Sequence, residues 1–501
     1  MYVANPEDRE KAYIANALTV LKSECEEAYI APRLVLLRAF ILVAKENEKT
    51  KGEADSLDLL SMVKPIITSK KWRGKKLLPL LLALKAIDVL EAKVVKKFSS
   101  AVGTLLKASN WLLEHGYQAG WEVRTFIAKH FREELGAPLK IATDAQPAAD
   151  DSDEEGNITE KPGSVTAAFE KLSVLEYVDV VVNSVDEDAK LGYLKELLLE
   201  ESETSCASSR LLIVERLIQH ISGSRPPVRE ANDPSQGQFD LAHAHTLLCS
   251  RLSQATTSPA QFIQIAKIVH LLLDKKAQCM TQWNIDSTLS AVSAIASDVL
   301  SATMLATTPR TYESLCHLVE IVIKRHRKRL DGHFHILIPA LQSLLRRLIS
   351  SASSTSTSPS LLSDSTKEHH AKLLSRLLTL ITEPTVASVS SRSSASNKDQ
   401  KDHEHNHHNQ HQPLDSEKDK AKRYAGQHMY LVLMAYVKLQ LEFVVPLVVR
   451  EQLETGMFSI VDITPAEGEL RIMNDGMDPS GRVIFREMYK RWERFGKWSG
   501  V

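Results

Sequence analysis

His403, Glu404 and His407 spell H-E-x-x-H, the spacing with which one helix offers two imidazoles to a zinc ion and a carboxylate to its bound water. That chemistry needs a stable helix with both histidines on one face, a third ligand and a cleft that excludes water. The triplet lies instead in KDHEHNHHNQHQ, a polar tract with no apolar face, so the letters predict adventitious metal affinity and no metalloenzyme. His243, His245 and Cys249 are a second collection of ligand-type side chains. Residues two apart on a helix point to different faces, which predicts packing and surface roles for this set. Cys25, Cys206, Cys249, Cys279 and Cys316 are odd in number and widely spaced, with no C-x-x-C pair, which predicts free thiols in a reducing compartment. The chain has no Walker-type phosphate loop, no dinucleotide-binding glycine fingerprint and no G-x-S-x-G elbow. Gly496-Lys497 lacks the earlier glycine of a phosphate loop and follows a helical pattern instead of preceding one. No catalytic residue, cofactor or resident metal is expected.

Binding chemistry is the alternative, and the charges carry it. Lys70, Lys71, Arg73, Lys75 and Lys76 surround Trp72 inside a basic stretch, Lys64 to Lys97, whose only acids are Asp88 and Glu91. An aromatic ring among cations can stack on a base, so this cluster is a candidate RNA or nuclear-import patch. Lys324, Arg325, Arg327, Lys328 and Arg329 form a second run, KRHRKR, after a helical pattern. A helix C-terminus favours positive charge by about 0.3–1 kcal/mol per residue, which one or two cations satisfy. Five predict an additional import or phosphate-binding role. The opposite sign dominates at 143–163, where every charged side chain from Asp144 to Glu160 is a carboxylate. This segment is expected to be a disordered acidic linker, and Ser152, followed by Asp153, Glu154 and Glu155, is a candidate site for an acid-directed kinase.

The elements that must position these groups are helical. With 501 residues, 43% hydrophobic, 25% charged and a formal net charge of -1, the chain can build a sizeable core, and its average charge points to no partner. The N-terminal dozen residues are polar, and Lys85 and Asp88 interrupt the apolar run from Leu77, so neither a secretory signal nor a membrane span is expected. The expected compartment is intracellular, with no membrane among the partners. Residues 1–142 and 164–349 show apolar residues at helical spacing with turn-forming breaks, and strand patterns are scarce. Leu315, Leu318, Val319 and Val322, then Leu337, Leu341, Leu344, Leu345 and Leu348, mark two amphipathic helices punctuated by Gly332, the size of one HEAT- or armadillo-like unit. No strict repeat is visible. The expected fold is all-α, an irregular α-solenoid with disordered insertions at 350–366 and 387–420. A short helix spans 367–386 between them, and a helical domain at 421–501 follows.

Near the end, Asp478-Pro479 is a helix-start signal. Phe485, Met488, Tyr489, Trp492 and Phe495 follow as an apolar stripe, while Arg482, Arg486, Lys490, Arg491 and Arg494 fall largely off it. The spacing predicts a C-terminal helix whose stripe packs inward, with Phe495 and Trp498 anchoring the tail and the cations forming a candidate partner surface. The ending GR-x-IF-x-x-x-Y-x-x-W-x-RFGKW, with RYAGQHMYLVLMAYVKLQLE and LETGMFSIVDI before it, resembles the unhealthy ribosome biogenesis protein two family. HFHILIPALQSLLRRL from His333 and RLLTLITEPTVASVS from Arg376 extend the likeness to about Thr311. Trp492 stands where that family usually has tyrosine. The chain is also shorter than usual members, as a C-terminal portion, a compact homologue or a truncated chain would be. The resemblance implies an elongated, non-catalytic helical scaffold in the nucleolus that supports processing of large-subunit precursor ribosomal RNA. It implies as partners a large helical assembly factor and a helicase, and the basic clusters make precursor RNA a further candidate partner. A helical adaptor in transport or trafficking, whose basic clusters bind acidic partners or membrane lipids, is the rival that composition leaves open.

Overall fold

The computed structural model describes residues 15–17, 19–21, 29–46, 59–68, 77–90, 92–115, 117–135, 174–199, 207–223, 239–254, 258–298, 308–352, 363–384 and 414–496. Among them every regular element is helical, as the apolar periodicity predicts. In chain order α1 is Ile30–Glu46, α2 Leu59–Ile67, α3 Leu77–Ile87, α4 Val102–Glu114 and α5 Ala119–His130. Then come α6 Glu187–Leu199, α7 Ala207–His220, α8 Leu241–Gln254, α9 Pro259–Lys275, α10 Gln282–Ser297 and α11 Pro309–Arg325. The last six are α12 Phe334–Ala352, α13 Asp364–Thr382, α14 Leu414–Glu442, α15 Leu447–Ile463, α16 Glu469–Gly476 and α17 Pro479–Arg491.

The chain divides into two compact units, residues 1–186 with 202–220, and residues 187–201 with 221–501. In the first, α1 packs on α3, α3 on α5, and α4 on α5, around Leu37, Ile87, Leu105, Leu112, Ile127 and Tyr177, all almost fully buried. The helix over 174–183 and α7 belong to this first unit. Tyr177 on the former packs its ring against Trp121 of α5, centroids 5.4 Å apart.

The second unit is built from two rows. Helices α8, α10, α12 and α14 pack successively on one another, as do α9, α11, α13 and α15, and the rows meet through α8–α9, α10–α11, α12–α13 and α14–α15. Each helix thus buries one side against its row neighbours and another against the facing row, which is why its apolar stripe is wide. On α11, Leu315, Leu318, Val319 and Val322 are fully buried, and so are Leu337, Leu341 and Leu344 on α12. Gly332, at φ 81°, supplies the left-handed residue between them. Helices α13 and α15 approach closely, and a Cβ on Gly456 would lie 2.9 Å from the Ser375 backbone. The Gly456 N–H donates to Ser375 Oγ at 3.0 Å there.

A capping device recurs through this unit. The last carbonyls of a helix have no partner within it and carry partial negative charge, so they attract a cation from a neighbour. Arg251 of α8 donates to Leu198 O at the end of α6, and Lys276, just after α9, donates to Ile221 O. Arg347 of α12 donates to Ala296 O and Asp298 O at the end of α10, at 2.9 and 2.7 Å. The paired residues are 49 to 55 positions apart in sequence.

Helix boundaries differ from expectation where composition resembles low complexity. Ser350–Ala352 extend α12, and α13 begins at Asp364 with the Ser363 hydroxyl accepting from the Thr366 N–H at 3.2 Å. Serine is a poor helix interior and a good cap, so the serine tract hides a helix start. Likewise α14 starts at Leu414, inside the stretch expected to be structureless to 420. The acidic segment 143–163 and residues 387–413 lie outside the described residues.

Candidate functional site

The cationic run that starts in the last turn of α11 is drawn into the fold more than its composition suggests. Arg327 is 9% exposed, and its guanidinium donates to Leu380 O at 2.8 Å and to Ile381 O, closing the C-terminus of α13. Burial lowers its pKa to about 10, which leaves it charged at neutral pH. Arg327 is therefore a capping residue and not part of an exposed RNA or import patch. His326 is buried beside it and donates from Nε2 to Leu273 O at 2.9 Å, capping α9. Burial pulls its pKa down to about 4, so it works as a neutral imidazole. Arg325 is exposed but bonded through Nε to Asp274 Oδ1 at 2.8 Å, and Lys324 pairs with Glu320 at 2.5 Å. The His317 hydrogen bond, joined by Lys324, holds Glu320 down at about 2. Lys328 is exposed and Arg329 half-buried. The turn ties α9, α11 and α13 together, and only its outer cations face solvent.

Lys70, Lys71, Arg73, Lys75 and Lys76, with Trp72, lie outside the described residues, as do Ser152, His403, Glu404, His407 and Trp498. Of the second ligand-type set, His243 is an exposed partner of Asp240 at 2.7 Å, whereas His245 is fully buried. His245 contacts Thr288 Oγ1 at 3.1 Å and Asn284 Nδ2 at 3.2 Å, with Cys249 Sγ at 3.7 Å. Burial pushes His245 down to about 3 and the Cys249 thiol up to about 12. A neutral imidazole and a protonated thiol make this network a polar pin between α8 and α10. Asn284 completes it by donating to Ala242 O at 2.9 Å and closing a capping box with Thr281. Among the described residues no group of three or more ligand-type side chains could hold a metal.

The C-terminal helix is assembled as its spacing predicts, up to its last turn. Asp478 Oδ1 accepts from the Gly481 N–H at 3.1 Å, and Pro479 occupies the first turn. Phe485, Met488 and Trp492 are buried, Tyr489 is half-buried, and the indole Nε1–H of Trp492 donates to Asp462 Oδ1 of α15 at 2.7 Å. Arg491 reaches Glu454 of the same helix at 2.7 Å, so it braces α17 on α15 instead of belonging to a free cationic face. Phe495 is 70% exposed and does not anchor the tail. Ten α-helical steps of about 100° leave it about 80° off the line of Phe485. Residues Trp492–Gly496 also form a π turn, whose wider winding carries it further round. Gly496 is the residue that packs: a Cβ there would lie 2.5 Å from the Trp492 ring.

What remains outside is an asymmetric surface. Arg486 and Lys490 of α17 and Arg494 of the π turn after it are exposed and recur every fourth residue in sequence, while Arg482 is half-buried. Beside the first two lies a shallow cleft of about 330 Å³ between α16 and α17. Arg471 and Asn474 line it from α16, facing Phe485, Arg486, Tyr489 and Lys490 of α17, and no carboxylate is in the lining. The Tyr489 ring sits between Phe485 and Trp492, with centroids 6.0 and 5.0 Å away. Reading the sequence missed Arg471, which belongs to a different helix and joins the cationic set only through the turn 477–478. The short amphipathic pattern of Leu470 and Met473, both buried, was the available sign that α16 packs with one face and leaves Arg471 outward.

No helix among the described residues is long and apolar enough to cross a membrane. Compared with known proteins, residues 263–501 match the family model described as the Urb2/Npa2 family. No curated protein and no solved structure matches the chain.

Proposed function

We propose, from the match of residues 263–501 to the Urb2/Npa2 family, a family of ribosome biogenesis factors, that the chain is a non-catalytic helical scaffold for early assembly of the large ribosomal subunit in the nucleolus. The family match carries this reading. Its span begins within α9 and takes in α10 to α17, the greater part of both helix rows and the whole C-terminal assembly. The physical character of that body supports a scaffold. Side chains capable of chemistry are spent on structure: Arg327, His326 and Arg347 on helix ends, and His245 with Cys249 on a neutral pin. Paired helices stacked in two rows are the kind of framework on which helical-repeat scaffolds dock partner proteins. Other assembly factors, including a large helical protein and a helicase, are the proposed partners, together with precursor ribosomal RNA.

Tagging and depletion test the proposal. The tagged protein is expected to concentrate in nucleoli, and its depletion to lower large-subunit precursor RNAs while small-subunit precursors persist. Normal large-subunit precursor levels after depletion would refute it.

A further inference from the structure

We propose that the cleft between α16 and α17 is a binding site for single-stranded RNA, with one unstacked base on Tyr489 and the flanking phosphates on Arg471, Arg486 and Lys490. Two parallel ridges run along α17. Half-buried Tyr489, backed by the buried ring of Phe485, makes an aromatic ridge, and one position on, Arg486 and Lys490 make a cationic one, each pair separated by a single helical turn. Arg471 closes the cationic side from α16, and Asn474 adds an amide that can both donate to and accept from a base edge. A cleft of about 330 Å³ stands at the lower end of ligand-sized cavities, enough for a nucleotide and far too small for a duplex.

The charges in the cleft are available. Arg471 meets Asp475 only at 3.9 Å, and Lys490 pairs with Glu487 at 2.8 Å, both between exposed side chains. Exposed pairs of this kind are worth about 0–1 kcal/mol, so a phosphate can displace the carboxylates. An acidic peptide would answer the cations and leave the aromatic ridge unused, whereas a single strand uses both, since base stacking on an aromatic side chain is tolerant of sequence. A-form duplexes hide their base faces and offer no ring to Tyr489. The choice of RNA over other polyanions rests on the ribosome-biogenesis reading; the cleft geometry does not.

The test is fluorescence anisotropy of a short, mixed-sequence, labelled single-stranded RNA titrated with the purified full chain across a range of salt. Arg471→Ala, Arg486→Ala and Lys490→Ala together should weaken binding at least tenfold and flatten the salt dependence by about 0.7 for each phosphate no longer neutralised. Tyr489→Ala should weaken it about tenfold with the salt slope unchanged, and Tyr489→Trp should restore it. Lys438→Glu, an exposed cation of α14 outside the cleft, should have no effect. Thermal unfolding of each variant separates lost binding from lost fold, and the three cation variants alter exposed side chains only. Equal affinity in all variants overturns the proposal. So does competition by duplex RNA as strong as by single strands, or displacement of the RNA by a polyglutamate peptide at equal charge. Failure here with large-subunit precursors still falling on depletion removes the cleft alone; binding here without that phenotype removes the assembly reading alone.

Discussion

Replacing Arg327 by methionine separates a structural cation from a binding one. The guanidinium makes two charge-assisted bonds to Leu380 O and Ile381 O, each worth about 1.5–3 kcal/mol. Against this stands the burial that lowers its pKa from 12.5 to about 10, a cost on the order of 3 kcal/mol. Methionine fills much of the volume and removes that cost, but it leaves two carbonyls at a buried helix end without a donor, at about 1–3 kcal/mol each. The net expectation is a loss of about 3 kcal/mol, felt first where α13 ends. Hydrogen–deuterium exchange reads it locally: amides in the last turn of α13 should exchange about a hundredfold faster, since about 1.4 kcal/mol corresponds to a factor of ten. Arg325→Met is the control. Its bond to Asp274 joins an exposed arginine to a carboxylate at the surface, so it should cost less than about 1 kcal/mol and leave exchange in α13 unchanged. If Arg327→Met leaves that exchange unaltered while abolishing nuclear accumulation or RNA binding, the capping assignment is wrong and the run after α11 is a recognition element.

Gly456→Ala should destabilise the second unit by about 1–3 kcal/mol, because the new methyl would press on the Ser375 backbone, which cannot rotate away; an unchanged melting temperature would show that α13 and α15 can separate freely. Trp492→Phe keeps the ring burial and removes the indole bond to Asp462, so a loss of about 1–2 kcal/mol in urea unfolding is expected, and none would mean that α17 is held by its apolar stripe alone. Acid should weaken the protein early. His245 and His326 are held neutral by burial at about 3 and about 4, so their unfolded forms bind protons first once the pH drops below about 6.5. Stability is complete above that pH and falls as pH approaches the folded values, opposed only in part by His317, whose pKa is raised by Glu320. Glu320, depressed to about 2, contributes above pH 4.5 and loses its contribution only below that, so a urea midpoint that falls between pH 6.5 and 4.5 reports the histidines, and a flat one refutes their assignment.

The helical class and the C-terminal helix were legible because they rest on local rules. Leu315 to Val322, Gly332 and Leu337 to Leu348 fall where period and punctuation place them, and Asp478 caps as an aspartate before proline should. Phe495 was misplaced because a stripe counted in whole α turns ignores a π turn, and the close contact of Gly496 with Trp492 exists only once that turn has formed. Arg471 was missed for a different reason: a site shared between helices has no signature in either of them.

The cations show most clearly what composition leaves open. Lys324, Arg325 and Arg327 are neighbours in one basic run, yet one faces solvent beside Glu320, one bonds a neighbouring helix and one is buried under α13. Which does which depends on where the next helix of the row ends, about fifty residues away. That distance left a trace. Helices of one row begin at Pro259, Pro309 and Asp364, after Ser258, Thr308 and Ser363, at spacings of 50 and 55 residues (309 − 259 and 364 − 309). His326 reaches back 53 residues and Arg327 forward 53 and 54, so the capping range equals the helix spacing. A hydroxyl residue before the helix, a helix of seventeen to nineteen residues and a polar group placed to bond the neighbouring helix end therefore recur in these three helices, although only Ser363 caps with its side chain and the letters hardly recur. In such an arrangement the donor and acceptor positions at helix ends, and not the letters between them, tie one helix to the next.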